Sequence, residues 1–231
     1  LLAISVLLFI AGGAASVWGW NEQKLADKST AEAVNLDLAK IEAGEKVDNF
    51  HVRIGPHYAC YYATVYSERQ EKTAGKVVSS SLTHAYYPIV SISNADVKIL
   101  EPLEKKYGDL NKVPPDEEIP QPNHFVVLVK TSRFKKLEEI PDAPFRREES
   151  VHGMIINEIS SLAPKEKELI KQQFPTLNVD KLLVLEDGRE PTSSGMRQMA
   201  MYGGMAGAIL GLGLLVGTLL FGLKALLFTR H

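Results

Sequence analysis

The chain of 231 residues is 45% apolar and 23% charged, with a formal net charge of −2, values that would suit one soluble domain. The charges are unevenly placed, because every Lys, Arg, Asp and Glu except Lys224 and Arg230 lies between Glu22 and Arg197. That middle stretch holds 24 basic against 28 acidic residues and no basic run longer than two, which excludes a nucleic acid partner held by bulk charge.

Leu1–Trp20 is uncharged and as long as the roughly 20 residues a helix needs to cross hydrocarbon. Trp18 and Trp20 stand where an interfacial aromatic belt would place them. A cleaved signal peptide competes, since Gly13, Ala14 and Ala15 could serve a peptidase. We expect a retained anchor, with further residues before Leu1, because the segment has neither an initiator Met nor a basic leading region.

The next stretch, Asp27–Gly44, carries Ala31, Val34, Leu38 and Ile41 at helical spacing, with a capping-box order at Ser29–Glu32 and Gly44 as a stop. Strands are expected near Phe50–Ile54, Tyr58–Tyr66, Lys76–Thr83 and Tyr86–Ser93, where Tyr, Val and Ile concentrate. Antiparallel pairing is the economical topology. From Glu101 to Pro122 five prolines, Pro102, Pro114, Pro115, Pro120 and Pro122, predict an extended loop.

His124–Thr131 reads as a buried strand, and a Pro-containing loop follows at Ile140–Phe145. Glu148–Leu162 offers Val151, Ile155, Ile156 and Ile159 as a helical face, and a short helix from Pro164 to Phe174 follows. Lys181–Glu186 is the closing strand, ended by Asp187-Gly188. Residues 201–228 form the second apolar stretch, in which Lys224 can reach the headgroups. Arg230, with His231, places the C-terminus in the cytoplasm by the positive-inside bias. Two spans then put the middle domain on the extracytoplasmic side, against the bilayer.

The expected fold is thus an α+β domain over 21–198, an antiparallel-rich sheet with a few flanking helices. Two transmembrane helices at 1–20 and 201–228 bracket it, and a short cytoplasmic tail at 229–231 follows.

Gly203, Gly207 and Gly211 recur every four residues, and Gly213 and Gly217 repeat the spacing on a neighbouring strip. Small residues at this spacing let helix backbones approach in lipid, where apolar burial does not drive helices together. Ala11, Gly12, Ala15 and Ser16 give the first span a smaller strip, so the partner is the protein's own first helix or another membrane protein.

Candidate chemistry in the middle domain is sparse. Cys60 is the only cysteine, which leaves no internal disulfide and no multi-thiolate zinc site. A hairpin centred near Thr73 with residue numbers summing to about 143 would set His84 opposite Ala59 and diagonal to His57, within reach of one ion. One residue of slip would undo that, so the expectation is structural histidines, no metal and no cofactor. Ser132-Arg133-Phe134-Lys135 has Ser-x-x-Lys spacing, but it follows a strand instead of opening a helix. Strand alternation places Tyr58, Tyr62 and Tyr66 on one face, as core or as a contact surface.

Two spans around one domain is a layout similar to that of membrane-anchored ubiquitin ligases, whose cysteine-rich module this chain lacks. The leading expectation is a non-enzymatic, membrane-anchored accessory or scaffolding subunit of a larger membrane complex. A membrane-tethered ligand-binding sensor is the alternative, and a membrane-bound hydrolase a third.

Overall fold

A computed structural model describes residues 2–73, 76–108, 112–114, 117, 124–142, 145–156, 164–175 and 182–228, without the side chains of 71–73, 76–79 and 222–228. The chain divides into two compact units, Thr30–Glu190 and the combination of Leu1–Ser29 with Pro191–His231.

Thr30–Glu190 is built on one mixed nine-stranded sheet. In chain order the strands are β1 (Val34–Leu36), β2 (His51–Ile54), β3 (His57–Ala59), β4 (Val65–Thr73), β5 (Lys76–Ser91), β6 (Val127–Thr131), β7 (Arg146–Glu148), β8 (Val151–Ile155) and β9 (Leu183–Asp187). They lie in the order β1-β2-β8-β9-β6-β5-β3-β7, with β4 also on β5. The antiparallel-rich expectation is corrected at two seams, where β1 runs parallel to β2 and β6 parallel to β9. Neither pair is joined by a hairpin, so local turn signals could not have announced them.

β5 organises the sheet because it is long enough to hold β6 along one edge and both β3 and β4 along the other. Pro88 sits where β3 gives way to β4. Its carbonyl accepts the Cys60 N–H at 2.9 Å, and the N–H that proline lacks falls in the break between the two partners, so no ladder bond is lost. The chain crosses this break in a 3-10 turn over Tyr61–Ala63, which corrects the expected continuous strand over Tyr58–Tyr66.

Both faces of the sheet are buried. The cross-strand row Tyr87, Val129, Leu185 and Ile155 is at most 2% exposed. On the opposite face Tyr86, Val90, Leu128 and Val184 pack with Leu100, Phe125, Ile170 and Phe174. Double burial is why β6 reads as an unbroken apolar run instead of alternating. Each of these large side chains contributes about 1.5–3 kcal/mol when removed from water.

Three expectations about helices change. Asp27–Gly44 is not one helix; it holds β1 and the five-residue helix α2 (Leu38–Glu42), capped by the Asp37 side chain on the Ala39 N–H. The expected helix over Glu148–Leu162 is strand β8 across Val151–Ile155, and Ile159 lies outside the described residues. The expected loop from Glu101 begins instead inside helix α3 (Ala95–Tyr107), which accommodates Pro102; Pro115, Pro120 and Pro122 lie outside the described residues. Asn94 caps α3 by accepting the Asp96 N–H at 2.8 Å, and Gly108, at φ 73°, ends it in the left-handed conformation. Helix α4 (Pro164–Gln173) occupies the place expected for it.

In the other unit, helix α1 (Leu2–Ala26) runs six residues beyond Trp20. The second long helix opens as α5 (Ser194–Gln198), widens to π-helical geometry over Met199–Gly203 and continues as α6 (Gly204–Phe228). Leu2–Ala26 and Ser194–Phe221, of 25 and 28 residues, are long and apolar enough to cross a bilayer.

Candidate functional site

Glycines position the two long helices against each other. A Cβ on Gly19 would stand 2.7 Å from the Met201 nitrogen, one on Gly12 2.5 Å from the Ala208 nitrogen, and one on Gly211 2.5 Å from the Phe9 nitrogen. Contacts that move down one helix as they move up the other make the pair antiparallel. Gly204, likewise, would meet the Gly12 carbonyl oxygen at 2.6 Å. Main chains this close leave no room for side chains, the arrangement that small residues permit. Ser16 adds a hydrogen bond, donating its hydroxyl to the Met201 carbonyl at 3.1 Å inside the π-helical segment, where the regular helical ladder is disturbed.

Of the glycines singled out in the sequence, Gly211 is buried in this seam and Gly207 lies at its margin, 3.8 Å from the Gly12 Cα by the same measure. Gly203, Gly213 and Gly217 face away, with no atom within 4 Å of a built Cβ. Gly204, off the four-residue repeat, was missed; its signal is its i, i+7 relation to Gly211, two turns along one face. Trp18 and Trp20 are 44% and 56% exposed. The Lys224 side chain and Arg230 lie outside the described residues.

Near the Trp20 end a polar knot joins the same helices. Thr192 donates its hydroxyl to the Glu22 carboxylate at 2.5 Å, and Arg197 donates Nε to Gln23 at 3.1 Å and Nη1 to the Thr192 carbonyl.

In the domain, polar chemistry gathers at the break between β3 and β4. The 3-10 turn swings Tyr61 onto the Tyr87 side, ring centroids 4.8 Å apart. Beyond β6 the chain folds back: the Thr131 hydroxyl donates to Asp187 at 3.0 Å and accepts the Arg133 N–H at 3.2 Å, while the Lys135 carbonyl accepts the Leu82 N–H at 2.8 Å. Phe134 is thereby buried and Arg133 laid across it, its guanidinium carbon 4.7 Å from the Phe134 ring centroid, 5.7 Å from that of Tyr87 and 5.9 Å from that of Tyr61. These are cation–π distances.

Arg133 Nη2 donates to the Tyr61 hydroxyl and, at 3.3 Å, to that of Tyr87. Tyr61 in turn donates to Glu148 at 3.1 Å, and Glu148 lies 3.6 Å from Arg146 Nε. Burial, against the pull of Arg133, pushes the Tyr61 phenol up to about 12. His57, directly opposite Glu148 in the β3–β7 register, donates Nδ1–H to the Gly55 carbonyl at 2.8 Å. Burial lowers the pKa of His57 and outweighs that bond and the Glu148 charge, so the ring is neutral near pH 7.

The sequence candidates do not converge here. The pairing of Thr73 with Lys76 moves the hairpin centre beyond Thr73, so His84 faces Ser67 and His57 faces Ser91. Seven residues along β5 separate those positions, roughly 23 Å on opposite faces. The shared-ion geometry for His57 and His84 is corrected accordingly, and no group of three metal-ligating side chains occurs among the described residues. Tyr58 and Tyr62 pack partly buried on the core, Tyr62 with its ring 4.9 Å from Phe145, whereas Tyr66 is 40% exposed on β4. The 3-10 turn breaks the alternation that would have aligned them. Cys60 is buried, which pushes its thiol well up. Ser132 and Lys135 lie on an irregular exposed segment instead of one helical turn.

Comparison with protein-family models, curated proteins and solved structures finds no match to this chain.

Proposed function

We propose that the protein is a non-enzymatic, membrane-anchored accessory or scaffolding subunit of a larger membrane complex, its domain on the extracytoplasmic side and its C-terminus in the cytoplasm. The observation that carries this reading is the division of labour along the second long helix. Gly204 and Gly211 are filled by the first helix, while Gly203, Gly213 and Gly217 remain bare on the other side. A hairpin already closed on itself needs no further helix to be an anchor. The bare side is then available to neighbours in lipid, where close backbone approach is a main source of helix affinity.

The test is isolation of the protein from its membrane in a mild detergent, with mass spectrometry of whatever stays attached. The reading expects other membrane proteins in fixed stoichiometry and their loss from a Gly213→Leu, Gly217→Leu double variant that still folds. A lone monomer in native isolation would overturn it, and undiminished association of the double variant would overturn the helix-contact mechanism.

A further inference from the structure

We infer that Arg133, with Tyr61, Tyr87 and Phe134 around it, forms a binding site for a small carboxylate. The site is independent of the association proposed for the helices, since all of its residues belong to Thr30–Glu190.

Three observations lead to a ligand of this class. The first is charge. Among the described residues no carboxylate lies within 4 Å of the Arg133 guanidinium; Glu148 is reached only through the Tyr61 hydroxyl and also lies beside Arg146. Asp187, held by the Thr131 hydroxyl, acts on Arg133 only at longer range, so the guanidinium has no carboxylate in contact and its single charge suits a monoanion.

The second is the state of the Arg133 donors. A guanidinium offers five N–H groups. Nη2 is committed to the two phenol oxygens, while Nη1 and Nε donate to no acceptor among the described residues. The residue is exposed even though its aromatic side is covered.

The third is rigidity. Contact with three rings and two hydroxyls fixes the guanidinium plane before any ligand arrives, so little rotamer freedom is left to lose on binding. A planar carboxylate matches a planar, oriented donor group, and the Phe134 and Tyr61 rings supply apolar surface for whatever carries it. Glu148 disfavours a more highly charged anion such as phosphate.

The test uses the full chain in a neutral detergent, labelled with 15N-arginine, titrated with sodium benzoate, sodium acetate, inorganic phosphate and sodium chloride at matched ionic strength. The site predicts a saturable shift of the Arg133 Nε resonance with benzoate and acetate, absent with chloride and weaker with phosphate. Calorimetry should show benzoate affinity falling at least tenfold in Arg133→Gln, falling less in Arg133→Lys, and rising severalfold in Glu148→Gln, where the opposing charge is gone. Glu148→Gln keeps a hydrogen-bond acceptor for Tyr61, so it reports on the site even if Arg133→Gln loosens the fold. No saturable response, an equal response to chloride, or unchanged benzoate affinity in Arg133→Gln would overturn the proposal and leave Arg133 a structural brace. Preference for phosphate would overturn the ligand class.

Discussion

The imidazole of His51 stands 3.1 Å from the carboxylate of Glu190 through Nε2, an ion-pair distance off the axis of an aligned hydrogen bond, while Nδ1 donates to the Thr30 carbonyl at 3.0 Å. Thr30 and Glu190 are the first and last residues of the sheet domain, so one buried ring ties together the two points at which the chain leaves it. Asn49 reinforces the tie by accepting the His51 N–H at 2.9 Å and donating to the Thr30 hydroxyl at 2.8 Å.

His51→Ala should therefore lower domain stability by about 1–3 kcal/mol, the range for removing a buried hydrogen-bonding group and leaving its partners unmet. Glu190→Gln should cost under about 1 kcal/mol, because the carboxylate is 64% exposed and its contact with the ring is screened. Urea unfolding of the detergent-solubilised protein, followed by tyrosine fluorescence, separates the two. Equal losses would show that the Glu190 contact and not the Thr30 bond carries the tie.

Along the hairpin of long helices, Gly211→Val and Gly12→Val should each destabilise by about 1–3 kcal/mol, since the added carbons meet main chain that cannot move aside. Gly213→Val should be near neutral. Thermal unfolding in one detergent checks the contrast, and a Gly213 variant as unstable as Gly211→Val would refute the assignment of faces.

His57 predicts acid sensitivity. Its folded pKa is lowered by burial from 6.5, so the neutral ring contributes stability that is whole above pH 6.5 and is lost as pH falls toward the folded value. The urea midpoint should decline from pH 7 to 5, and His57→Asn should flatten that decline. An equally steep decline in the variant would place the sensitivity elsewhere.

What the residues disclose in advance, and what they do not, follows from how local each signal is. α4 was legible because Pro164 suits a first helical position, and β6 and β9 because their apolar runs are short and flanked by breakers. Val34, Leu38 and Ile41 fit a helical period, yet Val34 belongs to a strand whose partner Val52 is 18 residues away. Likewise Val151–Ile155 reads equally as helix or strand. The structure decides through Gly153, where a Cβ would collide with the Glu186 carbonyl oxygen, an approach only glycine allows. The hairpin register was missed because β4 and β5 pair on to Thr73 and Lys76, past the expected centre, and that shift separates His57 from His84. Arg133 carried no local signal at all, since Tyr61 lies 72 and Tyr87 46 residues from it in sequence. Only the fold makes it a site.

The tyrosines make the opposite pH prediction. Burial comes first among the causes that push Tyr61 up to about 12 and Tyr62, Tyr86 and Tyr87 higher still. An unfolded phenol ionises near 10. Between those values the folded chain holds more protons than the unfolded one, so stability is full below pH 10 and falls as pH rises toward 12. Absorbance at 295 nm should thus show a late population, with Tyr61, Tyr62, Tyr86 and Tyr87 ionising only above pH 10, together with loss of folded structure. Replacing Tyr61 with Phe should remove one phenol from the late population and free the Arg133 Nη2 donor it now occupies. A single ionisation step for all the tyrosines near pH 10, with the fold intact, would contradict the packing of the phenols around Arg133.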